Sequence, residues 1–191
     1  LSFYRLTLEP NTLFHRHPPP WQDRAAAADI QQHVADRLAG AGYRRYEVSA
    51  YAKPGRECAH NLNYWRFGDY LGIGAGAHSK ISFAGRIERA IRYKQPRQYL
   101  QMARERSPVL ETTVLTRDDV GFEFMLNALR LTDGVPTPLF AERTGMPLAV
   151  VAGAIGEATR RGLLEADPSR LCPTPLGRRF LNDLTALFLR E

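Results

Sequence analysis

The first fifty residues alternate between strand-forming and helix-forming segments, and this order leaves few folds open. Residues 1–8 are rich in strand formers and end at a Glu-Pro-Asn turn. Residues 21–39 carry apolar positions that step by four, which predicts a helix with one buried stripe. Residues 46–51 predict the next strand. A strand, a long helix and a strand are typical of the βαβ unit of a parallel sheet, and we expect residues 1–110 to form the last part of a (β/α) barrel.

A glycine-rich stretch follows in the same region. Residues 70–79 predict a further strand that ends in a loop of small residues, which would let the backbone approach a ligand closely. The GxGxG spacing is not followed by a long helix, so it does not indicate a dinucleotide-binding unit. Residues 96–106 predict a short helix.

Residues 111–191 predict a separate, mostly helical domain. Thr116, Asp118 and Asp119 are typical of a helix N-terminus, where a side-chain oxygen and negative charge are favourable. This helix is expected to bury four apolar side chains: Phe122, Met125, Leu126 and Leu129. Helices are also predicted at residues 136–143, 147–161 and 174–189, with a small hairpin before the last one. Three helices, a hairpin and a final helix predict a winged-helix-like domain, so the fold class is α/β followed by a mostly α domain.

Composition narrows the class of protein. The 191 residues are 44% hydrophobic and 24% charged, which is an ordinary globular balance. No apolar run approaches the length of a transmembrane helix, and the start at Leu1 shows neither a signal peptide nor an initiator methionine. Two cysteines, Cys58 and Cys172, cannot build a disulfide framework. These features predict a reduced cytoplasmic protein and a fragment of a longer chain.

The net charge of +6 favours an anionic partner such as nucleic acid, a phosphate or a porphyrin carboxylate. Most basic residues are scattered, which is typical of a solvated surface. A winged-helix DNA-binding module is one alternative. However, the predicted third helix at 147–161 is largely apolar and has arginines only at its end, Arg160 and Arg161. A helix that reads bases should present polar side chains along its exposed face, so we expect no nucleic-acid partner.

The residues with the most distinctive chemistry lie between positions 60 and 65. On a helix, His60 and Tyr64 would share one face. A neutral imidazole can ligate heme iron, large aromatic rings such as those of Tyr64 and Trp65 can stack on the macrocycle, and Asn61 can orient a ligand. The residues alone leave open the alternative that this histidine and these aromatics are core side chains.

The HNxxYW segment at 60–65, together with residues 46–55 and 68–79, resembles the HemW branch of the oxygen-independent coproporphyrinogen III oxidase-like (HemN) radical SAM family. Residues 1–12 and 123–135 are similar to the same family. The resemblance implies the C-terminal part of a partial radical SAM barrel over residues 1–110 and a HemN-type C-terminal domain over 111–191.

The resemblance also implies site residues. HNxxYW implies heme binding by His60, Asn61, Tyr64 and Trp65, with the imidazole of His60 as the iron ligand. Ile73, Gly74 and Ala75 are expected to line the adenine of S-adenosylmethionine, although simple packing of small residues explains them equally well. His78 and the Cys172-Pro173 dipeptide are weaker candidates for heme ligation.

The family's [4Fe-4S] cluster needs three thiolates in a CxxxCxxC loop, and this sequence has no such motif. We therefore expect this chain to be inactive alone in radical chemistry and to need an N-terminal half that holds the cluster. The implied function is heme binding and delivery to heme-acceptor proteins. The alternative within the family is part of a coproporphyrinogen III oxidase of porphyrin biosynthesis.

Overall fold

The computed structural model describes residues 1–4, 7–20 and 24–189, apart from the side chains at 24, 25 and 28. Parts of the predicted strand at 1–8 and of the predicted helix at 21–39 lie outside these residues. The chain divides into two compact units, Leu1–Cys58 and Ala59–Glu191, which are taken in turn. The predicted division at residues 110 and 111 stays a prediction.

The described residues of the first unit form two helices and two short strands: α1 (Leu13–Arg16), α2 (Arg24–Gly40), β1 (Arg44–Arg45) and β2 (Tyr51–Ala52). The predicted helix is confirmed in its described residues, but its predicted buried stripe is wrong, because Ile30 is 51% exposed and Val34 and Leu38 are only partly buried. The predicted parallel βαβ pairing is also wrong. β1 pairs with β2 antiparallel, and Ser2 forms an antiparallel bridge with Ala50.

A buried carboxylate explains why residues 46–51 are not one strand. Glu47 is only 2% exposed, and its Oε1 accepts hydrogen bonds from the backbone N and the Oγ of Ser49 at 3.0 and 2.9 Å. The Arg45 guanidinium donates to the carbonyl oxygens of Glu47 and Val48. These local bonds favour a turn over an extended strand, which the alternation of residue types does not reveal.

The second unit holds the remaining elements in this order: α3 (Ala59–Trp65), β3 (His78–Phe83), β4 (Arg86–Arg92), α4 (Pro96–Glu105), β5 (Val109–Val114), α5 (Arg117–Ala128), β6 (Val135–Pro136), α6 (Pro138–Thr144), α7 (Ala152–Arg160), β7 (Arg170–Leu171), α8 (Pro175–Arg179) and α9 (Leu181–Ala186). A 3₁₀ turn, Leu148–Val151, precedes α7, so the predicted third helix begins in a tighter form. The predicted last helix is divided at Phe180, whose φ of −113° and ψ of 45° are not helical.

A three-stranded antiparallel sheet, β3-β4-β5, was not predicted from the sequence. β3 and β4 are joined by the two-residue turn Ala84-Gly85, in which Gly85 has a φ of +82°. A glycine in this left-handed conformation is what a tight hairpin turn favours. β5 lies on the other side of β4, and one register irregularity occurs between Ile91 and Arg92.

The glycine-rich stretch is a loop and not the predicted strand. Tyr70 forms an isolated antiparallel bridge with Lys80, which closes the loop at its base. A Cβ at Gly72 would lie 2.1 Å from the carbonyl oxygen of His78, so glycine is needed for this close approach. Gly74 has a φ of +103°, which side-chain-bearing residues rarely adopt.

The C-terminal helices pack around a conventional apolar core. The predicted start of α5 is confirmed by a capping box, in which Thr116 and Asp119 exchange hydrogen bonds. The predicted core residues Met125 and Leu129 are buried, whereas Leu126 is 41% exposed and Phe122 only partly buried. The buried stripe runs through Met125, Leu129 and three residues that were not predicted: Val120, Phe124 and Ala128.

A small β-structure lies beside these helices, as the winged-helix-like prediction requires. β6 pairs with β7, and Leu164 forms an antiparallel bridge with Pro173. The predicted mixed α/β class is confirmed. In the described part of the chain, no helix has both the length and the apolar character needed to cross a membrane.

Candidate functional site

Helix α3 carries all four residues of the predicted heme-binding motif. His60 is exposed, whereas Asn61, Tyr64 and Trp65 are partly buried. The predicted shared face of His60 and Tyr64 is confirmed, because their ring centroids lie 4.8 Å apart with the planes at 70°. Among the described residues, the imidazole makes this edge contact and no hydrogen bond. Both ring nitrogens therefore remain available to an external partner.

The end of α3 is held in a strained conformation. Phe67 has a φ of +56°, and the backbone N of Gly68 donates to the carbonyl of Asn63 at 2.7 Å, which is the pattern of a Schellman cap. A side-chain-bearing residue in this conformation costs about 1–2 kcal/mol. The ring of Phe67 is 1% exposed and lies 5.8 Å from the ring of Phe124, so burial offsets this cost. Such strain is typical of segments whose geometry matters for function.

A buried lysine ties the end of α3 to the sheet. Lys80 is 2% exposed, and its Nζ donates to the carbonyl oxygen of Phe67 at 3.1 Å and to Oδ1 of Asp69 at 3.2 Å. Burial lowers the pKa of Lys80, although its bond to Asp69 opposes this effect. Burial alone would raise the pKa of Asp69, but hydrogen bonds from Ser82 and Lys80 outweigh it and hold that pKa below its usual value.

A series of contacts between aromatic and charged side chains leads from His60 to β4 and α5. Tyr64 packs on Tyr70 with ring centroids 4.4 Å apart. The Tyr70 hydroxyl accepts a hydrogen bond from Nη1 of Arg89 at 3.2 Å, and Nη2 and Nε of Arg89 bind the Glu123 carboxylate at 2.6 and 3.0 Å. Burial alone would lower the pKa of Arg89, but its pairing with Glu123 raises it above the ordinary value. β4 and α5 are therefore linked to the ring that contacts His60.

Trp65 faces the C-terminal helices. The guanidinium carbon of Arg130 lies 4.2 Å from the centroid of the indole ring, which is within cation–π range. The indole Nε1 is buried, and it has no acceptor among the described residues. One face of this ring is thus already occupied, so Trp65 also anchors α3.

The three residues predicted to line S-adenosylmethionine lie together in the glycine loop. Ile73 is 86% exposed, and Ala75 is also exposed. The backbone N of Gly74 donates to the Tyr99 hydroxyl at 3.3 Å, and Nε of Arg92 donates to the Gly72 carbonyl oxygen at 2.5 Å. The loop is therefore fixed at its base by hydrogen bonds while it presents a large apolar side chain to solvent.

The weaker heme-ligand candidates differ in access. Cys172 is buried, and its thiol points to the carbonyl oxygen of Thr132 at 3.6 Å. Burial, reinforced by the charge of Glu165, raises the pKa of this thiol, which disfavours the thiolate that binds a metal. His78 is exposed at the start of β3.

The donor set fits a heme and does not fit an iron–sulfur cluster. An exposed imidazole beside aromatic rings is suitable chemistry for one axial ligand. The sequence has two cysteines, one buried and one exposed, where a cluster needs three thiolates. In the ranges that the structure describes, no group of three or more His, Cys, Asp or Glu side chains is arranged to hold a metal ion.

Sequence reasoning missed the residues that support α3. Tyr70 stands at the start of the glycine stretch, where it is conspicuous only as an aromatic. Arg89 and Glu123 are 34 positions apart, and no local pattern connects them. Lys80 lies in an alternating strand and gives no sign of burial, because lysine is rarely buried without a partner.

The arginines at the end of the predicted third helix, residues 147–161, are already paired with a carboxylate. Arg160 and Arg161 both contact the carboxylate of Glu157, at 2.7 and 2.5 Å. These pairs occupy side chains that would otherwise contact phosphates or bases. The predicted absence of a nucleic-acid partner stays a prediction.

Comparisons with known proteins agree on one family. Residues 115–180 match the family described as "HemN C-terminal domain". The whole chain is 45% identical to "Heme chaperone HemW" of Escherichia coli (strain K12), covering 50% of that protein. It is 42% identical to the protein of the same name from Haemophilus influenzae, covering 49% of it. The chain therefore spans about half the length of the curated relatives it matches.

A solved structure shows the same fold. It is titled "Coproporphyrinogen III oxidase (HemN) from Escherichia coli is a Radical SAM enzyme". The match has a TM-score of 0.64 and 20% sequence identity, and it covers 87% of this chain and 42% of that one. At this identity the likeness supports the fold and says nothing about the reaction.

Proposed function

We propose that this chain, which belongs to the HemW family of HemN-like proteins, provides the heme-binding surface of a heme chaperone. The observation that carries the proposal is the exposed imidazole of His60 on α3, backed by Tyr64 and free of hydrogen bonds among the described residues. The relatives that are similar over the whole chain are heme chaperones by name, which supports the proposal. The alternative of a coproporphyrinogen oxidase is supported by a fold likeness at 20% identity and by the name of the C-terminal domain family, but by no relative similar over the whole chain that is described above.

His60 is the proposed iron ligand. A heme, when bound, supplies an iron that an imidazole nitrogen can ligate and a flat apolar face that aromatic rings can pack against. His60 would provide this nitrogen, since imidazole is the commonest metal ligand among protein side chains. Tyr64 holds the imidazole by its edge contact, and Trp65 fixes the helix through Arg130. We propose that Asn61 contributes a polar contact to the same ligand.

The glycine loop is a second proposed contact. Ile73, Gly74 and Ala75 would line the adenine of S-adenosylmethionine, because an exposed apolar side chain on a loop with fixed ends suits a flat base. A Cβ placed on Gly74 would meet no atom within 4 Å, so the loop is open there. This chain supplies no ligand set for a [4Fe-4S] cluster, and its own residues support no radical step.

The proposed partners and location follow from this function. Heme would pass from this protein to heme-acceptor proteins. Coordination by a single exposed imidazole suits this role, because such a ligand can be released as well as bound. The basic charge of +6 favours the anionic propionates of heme. The two free thiols are consistent with the reducing cytoplasm, which we propose as the location.

The test compares three single variants in the protein expressed from its complete reading frame. His60→Ala is expected to shift or abolish the Soret band of bound heme. His78→Ala is the matched control, because it removes another exposed imidazole, and Cys172→Ala removes the buried thiol. Both are expected to keep the spectrum. An unchanged spectrum in His60→Ala, with a lost band in Cys172→Ala, would overturn the assignment in favour of the Cys-Pro site.

A further inference from the structure

We propose that Arg89 is a positioning residue for His60: it holds the imidazole in place through Tyr70 and Tyr64. The inference deepens the heme-binding role proposed above and rests on it for its functional meaning. It rests on the structure alone for the claim that Arg89 orients the ring.

The first step is the anchoring of Arg89. Its guanidinium makes three hydrogen bonds to the Glu123 carboxylate, with distances of 3.0, 3.1 and 2.6 Å. A forked arginine–carboxylate pair is both stronger and more directional than a single charged contact. The two side chains are 32% and 19% exposed, so solvent screens the pair only partly. Arg89 therefore has a fixed orientation relative to α5.

The second step carries this orientation to Tyr70. Once two guanidinium nitrogens bind Glu123, the remaining Nη1 points at the Tyr70 hydroxyl, 3.2 Å away. A lysine could not make both sets of contacts, because it presents one nitrogen and not a planar fork. The backbone of Tyr70 is held separately by its bridge to Lys80, with N···O distances of 2.9 and 3.0 Å. Both ends of the Tyr70 side chain are thus fixed.

The third step reaches the imidazole. The rings of Tyr70 and Tyr64 lie 4.4 Å apart at 38°, and the rings of Tyr64 and His60 lie 4.8 Å apart at 70°. Among the described residues, the imidazole has no hydrogen bond of its own, so its edge contact with the Tyr64 ring restrains its orientation. A metal-binding histidine usually has a partner that fixes its ring orientation. Here the partner is the ring of Tyr64, which Arg89 holds in place through Tyr70.

Two further contacts give the C-terminal domain the same role. Trp65 stacks against Arg130, and Phe67 packs edge-on against Phe124, so α3 and the residues at its end are attached to the α5 region at two points. The domain that resembles a DNA-reading fold thereby supports the helix that carries His60. Arg89 acts on the exposed imidazole through Tyr70 and Tyr64, whereas these two contacts hold the helix itself.

The closing experiment has a heme-free and a heme-bound arm. In the protein without heme, two-dimensional NMR of the histidine ring protons reports the ring-current field of Tyr64 at His60. Arg89→Lys, which keeps the charge and loses the fork, is expected to move the His60 signals towards their free-histidine positions. Arg86→Lys is the matched control, because Arg86 lies on the same strand in an exposed pair with Glu88. It should leave these signals unchanged.

The heme-bound arm titrates hemin into the same variants. Arg89→Lys is expected to weaken binding by about tenfold and to broaden the Soret band, as loss of an outer-shell partner does for metal sites. Tyr70→Phe, which keeps the ring and removes only the hydroxyl, should reproduce part of both effects and remains informative if Arg89→Lys folds poorly. Circular dichroism identifies any variant that has lost its fold.

The outcomes separate the two proposals. Unmoved His60 signals in folded Arg89→Lys and Tyr70→Phe would overturn the positioning role, whatever hemin does. Moved signals with weakened binding support both proposals. Moved signals in Arg89→Lys, together with an unchanged heme spectrum in His60→Ala, would support the positioning of the ring and overturn its assignment as iron ligand.

Discussion

The segment that carries the candidate site, residues 59–83, and the domain at residues 115–180 are stabilised in different ways. The domain buries ordinary apolar side chains such as Phe124, Met125 and Phe140, each at 0% exposure. The site segment buries the charged Lys80 and leaves Ile73 86% exposed. The domain therefore depends on packing at many positions. The site segment depends on a few specific anchors, so most of its surface is available for binding.

The largest effect is expected in the core of the domain. Phe124 lies between Phe67 and Phe140, at ring distances of 5.8 and 5.0 Å. Phe124→Ala should lower the free energy of unfolding by about 3–5 kcal/mol, because it creates a cavity in a packed core. Phe180→Ala is the control, since that ring is 43% exposed and should cost far less. Chemical denaturation followed by circular dichroism measures both, and equal losses would contradict the comparison.

The next largest effect on stability is expected at Lys80. It tests whether a polar contact stabilises the site segment as apolar packing stabilises the domain. Lys80→Met removes the donor that serves the Phe67 carbonyl and Asp69 while keeping most of the side-chain volume. It should lower the free energy of unfolding by about 2 kcal/mol, because a buried acceptor loses its partner. Lys94→Met changes an exposed lysine and should be nearly neutral. If the two thermal midpoints fall equally, Lys80 is not an anchor.

The same anchor predicts a dependence on pH. The pKa of Asp69 is lowered in the folded chain, so its contribution is fully present above its unfolded value near 3.8 and is lost as the pH falls through the folded pKa. Asp69→Asn should therefore flatten the fall of the thermal midpoint as the pH drops below 3.8. The effect is small, because the carboxylate is 41% exposed. An equally steep fall in the variant would argue that other carboxylates dominate.

A smaller effect is expected at the entrance to the domain. Thr116 caps α5 by accepting a hydrogen bond from the backbone N of Asp119 at 3.2 Å. Thr116→Ala should lower the free energy of unfolding by about 1 kcal/mol. Thr116→Ser should retain most of that stability, because a serine hydroxyl caps equally well. Equilibrium denaturation distinguishes the two variants. A serine variant as weak as alanine would show that the methyl group matters and the cap does not.

The sequence predicts features that depend on neighbouring residues and misses those that depend on contacts between distant positions. The cap at Thr116 and the shared face of His60 and Tyr64 are local patterns, and both are confirmed. The glycine stretch was wrongly predicted as a strand, since apolar and small residues alternate there while the close approach of Gly72 to His78 depends on the folded loop. The link between Arg89 and Glu123 joins distant positions, and no spacing rule can find it.

The missed sheet teaches a related lesson. Strand-forming residues at 78–92 flank the short turn Ala84-Gly85, and this local pattern is compatible with a hairpin. In contrast, the turn between β1 and β2 depends on the burial of Glu47 under local hydrogen bonds. Carboxylates are rarely buried, so residue type points away from the observed structure.

The smallest stability effect is expected at Ile73, and it is the sharpest test of the comparison. Because the side chain is 86% exposed, Ile73→Ser should change the free energy of unfolding by less than about 0.5 kcal/mol. Ile87→Ser, on β4 and 5% exposed, should be strongly destabilising and serves as the matched control. If Ile73 contacts S-adenosylmethionine, the same variant should weaken binding of that ligand in isothermal titration of the protein expressed from its complete reading frame. Lost binding at unchanged stability is what a binding residue produces. A thermal midpoint that falls as far as in Ile87→Ser would instead assign Ile73 to packing.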